Sequence, residues 1–238
     1  MLTTLYNELL YKPLFNTLVV LYQYLTFYDL GLAIILLTIM IRILLFPLFH
    51  KTTKHQLITQ ALQPKIKEIQ KTHKDNKETQ AKAILDLYSK HKLNPFTPIG
   101  LLIIQLPILI ALYQVFISGF SDKAFTYLYP FISAPETLNS YFLNLIDLSK
   151  PNALLVIGAA LAQYLQGRIT TSKIINKTGQ LSPQEKMQKN MVYFGPAVAI
   201  MILWNFPAAI GLYWLTSTLF SLLQQLIVSR TLDTEQFK

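Results

Sequence analysis

The sequence predicts an all-α, polytopic membrane protein with five transmembrane helices and a cytoplasmic helical hairpin. Of the 238 residues, 52% are hydrophobic and only 14% are charged, with a mean hydropathy of +0.37. Soluble domains carry about 25% charged residues. Five apolar segments alternate with polar ones, and most Lys and Arg residues lie in two of the polar segments. Together these observations indicate a chain that crosses a membrane several times.

The apolar segments define the spans. They cover about residues 30–49, 99–117, 153–166, 191–206 and 208–228. The first is long enough to cross a hydrocarbon core of about 30 Å. The third and fourth are short, since a helix of sixteen residues reaches only about 24 Å. We expect these two helices to thin the bilayer locally or to lean on longer neighbours.

The distribution of basic residues predicts the topology. Residues 50–98 hold ten of the 21 Lys and Arg and residues 167–190 hold five, whereas residues 1–29 hold one and residues 118–152 hold two. The positive-inside rule therefore places the two basic segments in the cytoplasm. We expect a multi-pass protein of the cell (plasma or inner) membrane, with the N-terminus outside and the C-terminus in the cytoplasm. Five spans require ends on opposite sides, in agreement with the charges.

Residues 1–29 are predicted to form an external amphipathic helix that lies in the membrane interface. Leu14, Leu18, Leu21 and Leu25 recur at helical spacing, as in interfacial helices. The segment lacks a basic n-region and a small-residue cleavage site, so we expect no cleaved signal peptide.

Residues 50–95 are predicted to form the cytoplasmic hairpin. Each arm carries an apolar stripe, and residues 73–76 have the composition of a turn. Pro64 should kink or restart the first arm, because proline lacks a backbone N–H. Asp75 and Glu78 have the spacing of a capping box, which would begin the second arm.

Seven aromatic residues crowd the predicted external loop 118–152. Aromatic side chains with polar gaps at a membrane boundary are typical of an interfacial belt. The belt residues are Phe120, Phe125, Tyr127, Tyr129, Phe131, Tyr141 and Phe142.

Arg42 is the only charged residue in the five predicted spans. A central arginine costs about 2.5–3.5 kcal/mol on insertion scales. Snorkelling to the nearer, cytoplasmic interface is disfavoured, because helical Cα–Cβ bonds tilt toward the helix N-terminus. A hydrated, protein-lined cavity is the preferred interpretation. Proton-coupled carriers usually need an intramembrane carboxylate, and the predicted spans contain none.

Several uncharged polar residues also lie at membrane depth. Gln105 is in the second span, and Gln163 and Gln166 share one face of the third. A stripe in the fifth span contains Tyr213, Thr216, Ser217, Phe220 and Gln224. Singly, such residues often serve as packing contacts worth about 1 kcal/mol or less. Together with the arginine they indicate a wet groove lined by several helices.

Catalytic chemistry is not indicated. The chain has no cysteine, which excludes thiolate catalysis and disulfides, and it has no HExxH, GxSxG or Walker pattern. The four histidines lack metal-ligand spacing. We therefore expect no enzyme activity, no catalytic residues, no cofactor and no metal.

Long motifs of the chain resemble the YidC/Oxa/Alb membrane protein insertase family, in its short bacterial form without the large external domain. The motifs follow the family order along nearly the whole chain. They are DLGLAIILLTIMIRILLFPL (Asp29–Leu48), LQPKIKEIQ (Leu62–Gln70), YSKHKLNPF (Tyr88–Phe96), IIQLPILIALY (Ile103–Tyr113) and PAAIGLYWLTSTLFSLLQQLIVSR (Pro207–Arg230).

The resemblance implies a five-helix insertase core, residues 30–238, that inserts and helps fold client membrane proteins. Its hydrophilic groove would open to the cytoplasm and to lipid. The family's groove arginine maps onto Arg42, its third-helix glutamine onto Gln163, and its aromatic pair onto Tyr213 and Trp214. Gln105 joins them as a candidate groove residue because of its depth in the second span.

The implied partners are nascent membrane-protein clients and membrane lipids. The Sec translocon and the ribosome stay open as partners through the basic cytoplasmic loops, and no specific nucleic-acid motif is present. The alternative function is an anion channel or a small-solute carrier that uses Arg42. A scaffold for assembling other membrane proteins is a third interpretation, which overlaps with insertion.

Overall fold

A computed structural model describes residues 2–94, 97–118, 122–135, 139–175 and 183–231. The described residues are mostly helical. The helices are α1 (Leu2–Tyr6), α2 (Lys12–Val20), α3 (Leu30–Leu44), α4 (Phe46–Ala61), α5 (Gln63–Thr72), α6 (Lys77–Lys90), α7 (Thr97–Ser118), α8 (Asp122–Phe125), α9 (Ala153–Ile175), α10 (Pro183–Leu203) and α11 (Ala208–Thr231), with π-helical turns at Asn7–Tyr11 and Leu21–Leu25.

A small sheet departs from the predicted all-α class. Strands β1 (Tyr141–Phe142) and β2 (Ile146–Asp147) pair antiparallel, with Phe142 opposite Ile146. Strands of two residues are too short to produce a detectable alternation of apolar and polar side chains. The sequence therefore gave no signal for this hairpin.

The chain divides into two compact units. The boundaries fall after Leu44, after Gln105 and after Leu222. The first unit contains α1 to α3, most of α7, α9, α10 and the first part of α11. The second contains α4 to α6 with the remaining ends of α7 and α11.

The prediction of one continuous helix over residues 30–49 is wrong. Helix α3 ends at Leu44 and α4 begins at Phe46. Pro47 explains the break, since proline lacks an N–H and its ring clashes with the carbonyl four residues earlier in a helix. Between the two helices, Leu45 adopts φ −91° and ψ 6°.

Among the described residues, one helix is by itself long and apolar enough to cross a membrane, namely Ala208–Thr231. The pair Leu30–Leu44 and Phe46–Ala61 meets the same criterion when taken together, which gives one or two candidate spans. Shorter apolar helices cover Gln105–Ile117, Ala153–Ile169 and Val192–Leu203.

Helix α9 extends past the end of the predicted span 153–166, and α10 begins before the predicted span 191–206 and ends three residues short of it. Helix α9 continues to Ile175, and α10 begins at Pro183 and ends at Leu203. Lys, Arg, Gln and Glu are strong helix formers. A change from apolar to charged residues therefore marks the end of an apolar segment, and the helix itself continues.

In the second unit, α5 and α6 pack against each other around a small apolar cluster. Its buried members are Ile58, Leu62, Ile66 and Leu93, with Ile84, Leu87 and Tyr88 packed against them. The first arm is interrupted as expected, because α4 ends at Ala61 and α5 restarts with Pro64 in its first turn.

The predicted capping box at the start of α6 is wrong by one residue. Asn76 is the N-cap, and its side-chain Oδ1 accepts the backbone N–H of Thr79 at 3.0 Å. Asn and Asp cap helices about equally well. Composition therefore could not decide between Asp75 and Asn76.

We expect Leu62→Ala to open the α5–α6 hairpin. Leu62 is fully buried, and truncation of a buried leucine typically costs about 2–5 kcal/mol. Leu85→Ala is the matched control, because Leu85 lies on α6 and is 55% exposed. Proteolysis of the two variants at increasing denaturant measures the opening free energy. Equal resistance of both variants would contradict the packing of this cluster.

In the first unit, the N-terminal segment packs on residues 124–135 through a buried asparagine. Asn16 donates from Nδ2 to the carbonyls of Lys12 and Tyr127, at 2.7 and 2.9 Å. Its Oδ1 accepts the N–H of Tyr129 at 2.7 Å. The ring of Tyr127 also meets Tyr11 edge-on. Tyr127 and Tyr129, which belong to the expected aromatic belt, are thus in contact with the N-terminal segment.

Candidate functional site

The break at Leu45 changes the setting of Arg42. Arg42 lies in the last turn of α3, whereas the sequence placed it near the middle of a longer span. The carbonyl groups at a helix C-terminus carry a partial negative charge, which stabilises a cation there. The end of α3 therefore offsets part of the cost of burying the guanidinium.

The Arg42 side chain is buried inside the first unit, with only 8% of its surface exposed. Its Nε donates to Oγ of Ser217 on α11 at 2.9 Å, and its Nη2 donates to the same oxygen. A hydrogen bond to a charged group contributes about 1.5–3 kcal/mol. The guanidinium is thus fixed between α3 and α11.

Tyr213 lies on the same face of α11 as Ser217, since residues four apart are neighbours on a helix. Its side chain is buried, with 3% exposed, and lies within electrostatic range of Arg42. The structure therefore brings Arg42, Ser217 and Tyr213 together.

Gln163 and Trp214 form a second contact, between α9 and α11. Trp214 donates from Nε1 to Oε1 of Gln163 at 3.4 Å, a long hydrogen bond. A Cβ at Gly195 would lie 3.1 Å from Nε2 of Gln163. Glycine at this position of α10 therefore leaves room for the glutamine, and three helices meet there.

Gln105 belongs to the second unit, whereas the contacts described above lie within the first. Its side chain is half-buried. Of the five residues predicted from the sequence, the structure thus places Tyr213 within electrostatic range of Arg42 and joins Trp214 to Gln163 by a hydrogen bond.

The family-model comparison decides the affiliation of the chain. The model of the 60Kd inner membrane protein family matches residues 5–235. The chain belongs to this family. The match confirms the resemblance that the sequence motifs indicated, and it supports a membrane location.

Relatives of this family member include proteins named membrane protein insertase YidC. Those of Francisella tularensis subsp. novicida (strain U112) and subsp. tularensis (strain WY96-3418) are each 30% identical over 200 residues. The alignments cover 84% of this chain and 32% of each relative. The chain therefore spans about a third of the length of these relatives. The comparisons give no support to the anion-channel alternative.

In this family member, two contacts of α11 were missed from the sequence. Ser217 was assigned to the polar stripe, without its bond to Arg42. In the second unit, Gln224 donates from Nε2 to the carbonyl of Phe46 at 3.4 Å, next to the helix break. The spacing of the polar stripe on α11 indicated that these side chains share one face. Spacing within one helix does not show which other helix packs against that face.

A metal centre finds no support in the described part of the chain. No group of three His, Asp or Glu residues there is arranged to hold a metal ion. The candidate residues offer one buried cation together with hydroxyl, phenol, indole and amide groups. Such a set can attract and orient a charged or polar segment.

Proposed function

We propose that this protein is a membrane protein insertase. It moves the short hydrophilic flank of a client across the membrane and releases the apolar helix of the client sideways into lipid. No bond is made or broken in this process. The buried Arg42, held by Ser217 in a member of a family whose named relatives are insertases, carries the proposal.

In the proposed mechanism, the positive charge of Arg42 attracts the hydrophilic flank of the client. Moving a polar flank through hydrocarbon without hydrogen-bond partners costs several kcal/mol per group. A polar groove shortens the apolar distance that the flank must cross, and Arg42 attracts acidic groups within it. Insertion is driven by burial of the client's apolar helix, about 25 cal/mol per Å² of apolar surface.

The proposed groove is lined by Arg42, Gln105, Gln163, Tyr213 and Trp214. The contacts between Arg42 and Ser217 and between Gln163 and Trp214 support this assignment for α3, α9 and α11. Gln105 is included for its polar side chain in the apolar part of α7.

The proposed topology keeps five transmembrane helices, with the first one broken at Leu45. Residues 1–29 form the external interfacial helix, and residues 30–238 form the insertase core with the cytoplasmic hairpin 50–95. The N-terminus lies outside and the C-terminus lies in the cytoplasm. The concentration of Lys and Arg in residues 50–98 and 167–190 supports this orientation.

The proposed partners are nascent membrane-protein clients and membrane lipids. The hairpin α5–α6 exposes several lysines that suit an anionic partner such as the ribosome. They are Lys71, Lys74, Lys77, Lys82 and Lys90. Contact with the Sec translocon would use the same basic loops.

Reconstitution into liposomes tests the proposal. The purified protein should raise the yield of a client with a short acidic flank, measured as the client fragment protected from external protease. It should show no steady anion current across a planar bilayer. Lengthening the flank or adding lysines to it should reduce insertion, because lysines meet the repulsion of Arg42. A chloride current abolished by Arg42→Ala, with client insertion unaffected, would refute the insertase in favour of a channel.

A further inference from the structure

Two neighbouring turns of the first unit expose large apolar side chains. Residues 26–29 lead into α3, and residues 143–145 join β1 to β2. The exposed fractions are 92% for Phe27, 53% for Tyr28, 54% for Leu143 and 80% for Leu145. We call these four side chains the apolar tip.

Hydrogen bonds hold the two turns together. Asp29 accepts the N–H of Leu143 on Oδ2 at 2.6 Å and the N–H of Leu32 on Oδ1 at 2.9 Å. The hydroxyl oxygen of Tyr22 accepts the N–H of Asn139 at 2.7 Å. The apolar tip is therefore one surface fixed to the beginning of α3.

Both turns use left-handed backbone conformations without glycine. Phe27 has φ 52°, Tyr28 has φ 63°, Leu143 has φ 50° and Asn144 has φ 57°. Bulky residues rarely adopt such angles, and where they do the strain often marks a functional surface. Three of these four residues belong to the apolar tip. The strained turns thus present apolar groups outward.

The carboxylates beside the apolar tip already have partners. Asp29 accepts the two backbone N–H groups described above. Asp147 accepts the hydroxyl of Ser149 at 2.6 Å and the ammonium of Lys150 at 3.0 Å. Hydrogen bonds from Ser149, together with Lys150, hold the pKa of Asp147 well below its usual range. Both carboxylates are therefore held by partners within the two turns, and as charged or polar groups they belong on the headgroup side of a membrane boundary.

The position of the apolar tip points to lipid. Tyr28 lies two residues before Leu30, where α3 begins, and α3 together with α4 is a candidate membrane span. Aromatic and large apolar residues at the end of a span lie at the membrane–water boundary. We propose that the apolar tip inserts at the boundary between lipid headgroups and acyl chains and fixes the depth of α3. This inference rests on the proposed membrane topology.

An anchored tip would set the depth of the candidate site. Arg42 lies twelve residues beyond Leu30, which corresponds to about 18 Å along a helix. In a hydrocarbon core of about 30 Å, a change in the depth of the tip moves the guanidinium by a comparable distance.

Spin labelling tests the insertion. The chain has no cysteine, so Phe27→Cys and Leu145→Cys each provide a unique site for a nitroxide. The backbone of Leu145 is not left-handed, which makes it the safer of the two variants. Collision with oxygen and with a water-soluble nickel chelate is measured in vesicles of phosphatidylethanolamine and phosphatidylglycerol. Lys74→Cys on the exposed hairpin turn is the aqueous control, and Leu161→Cys on α9 is the lipid control.

The labels at residues 27 and 145 should show a ratio of oxygen to nickel accessibility severalfold above that at residue 74, and a shallower depth than residue 161. Nickel accessibility equal to that at residue 74 would overturn the inference. Protection from both reagents that disappears on dilution with lipid would also overturn it, since a second copy would then cover the apolar tip. A water-exposed label at residue 161 would overturn the proposed topology itself.

The anchoring role has its own test. A label at Ile43, which is exposed on α3, reports the depth of the helix. Phe27→Ser combined with Leu145→Ser should shift that depth, because the helix loses its fixed point at the interface. An unchanged depth would show that the apolar tip touches lipid without positioning α3.

Discussion

Arg42→Ala should lower the insertion of clients with acidic flanks about tenfold or more, and that of clients with neutral flanks much less. An acidic group passing about 8 Å from the guanidinium gains about 2 kcal/mol at an effective dielectric constant near 20. That energy exceeds the 1.4 kcal/mol or so that corresponds to a tenfold change in rate. A neutral flank gains no such attraction energy from the guanidinium. The measurement is the yield of protease-protected client in vesicles, for two clients that differ only in flank charge.

Arg42→Lys and Ser217→Ala separate the effect of the positive charge from the effect of the hydrogen bonds that hold the guanidinium. Lysine keeps the charge, but its ammonium cannot place two fixed N–H groups on one hydroxyl as arginine does. We expect the lysine variant to keep the preference for acidic flanks and to unfold more easily.

Ser217→Ala removes the observed acceptor of Nε and Nη2, while Ser221→Ala, one turn further along α11, is the matched control. Equal loss for acidic and neutral clients in Arg42→Ala would show that the charge serves folding.

The sequence indicated which residues form the candidate site, but it did not predict how the helices that carry them begin and end. An isolated charge in an apolar run identified Arg42, and i, i+4 spacing put Tyr213 and Ser217 on one face of α11. The end of α3 was missed although Pro47 signals it. Proline is tolerated inside membrane helices, and Pro107 lies inside the apolar helix α7 without ending it. Neighbouring helices decide whether a proline bends or ends a helix, and a single sequence does not show them.

Long-range contacts were the least predictable part. Asn16 lies among the leucines of the predicted interfacial helix, yet its side chain satisfies backbone groups of Tyr127 and Tyr129 more than a hundred residues away. Asp29 likewise bridges the start of α3 and the turn after β1. Such contacts depend on pairs of distant segments, for which spacing within one segment carries no information.

The docking of the β1–β2 hairpin on α3 depends on Gly31. A Cβ at this position would overlap the Cβ, Cγ and Cδ2 atoms of Phe142. Because the clash includes the Cβ of Phe142, rotation of the ring cannot relieve it, and the backbone of the hairpin must move. Overpacking of this kind typically costs about 1–3 kcal/mol.

Gly31→Ala should therefore lower the free energy of unfolding of the first unit by about 1–3 kcal/mol, despite the higher helix propensity of alanine. Gly158→Ala on α9 is the matched control, since its added Cβ would lie 3.5 Å from Cδ2 of Leu215, an ordinary contact. That variant should be neutral or more stable by about 0.5–1 kcal/mol, because alanine restricts the unfolded chain more than glycine does. Denaturant unfolding in detergent measures both. If Gly31→Ala proved as stable as Gly158→Ala, the hairpin would not be docked on α3, and the apolar tip would lose its attachment to the helix that carries Arg42.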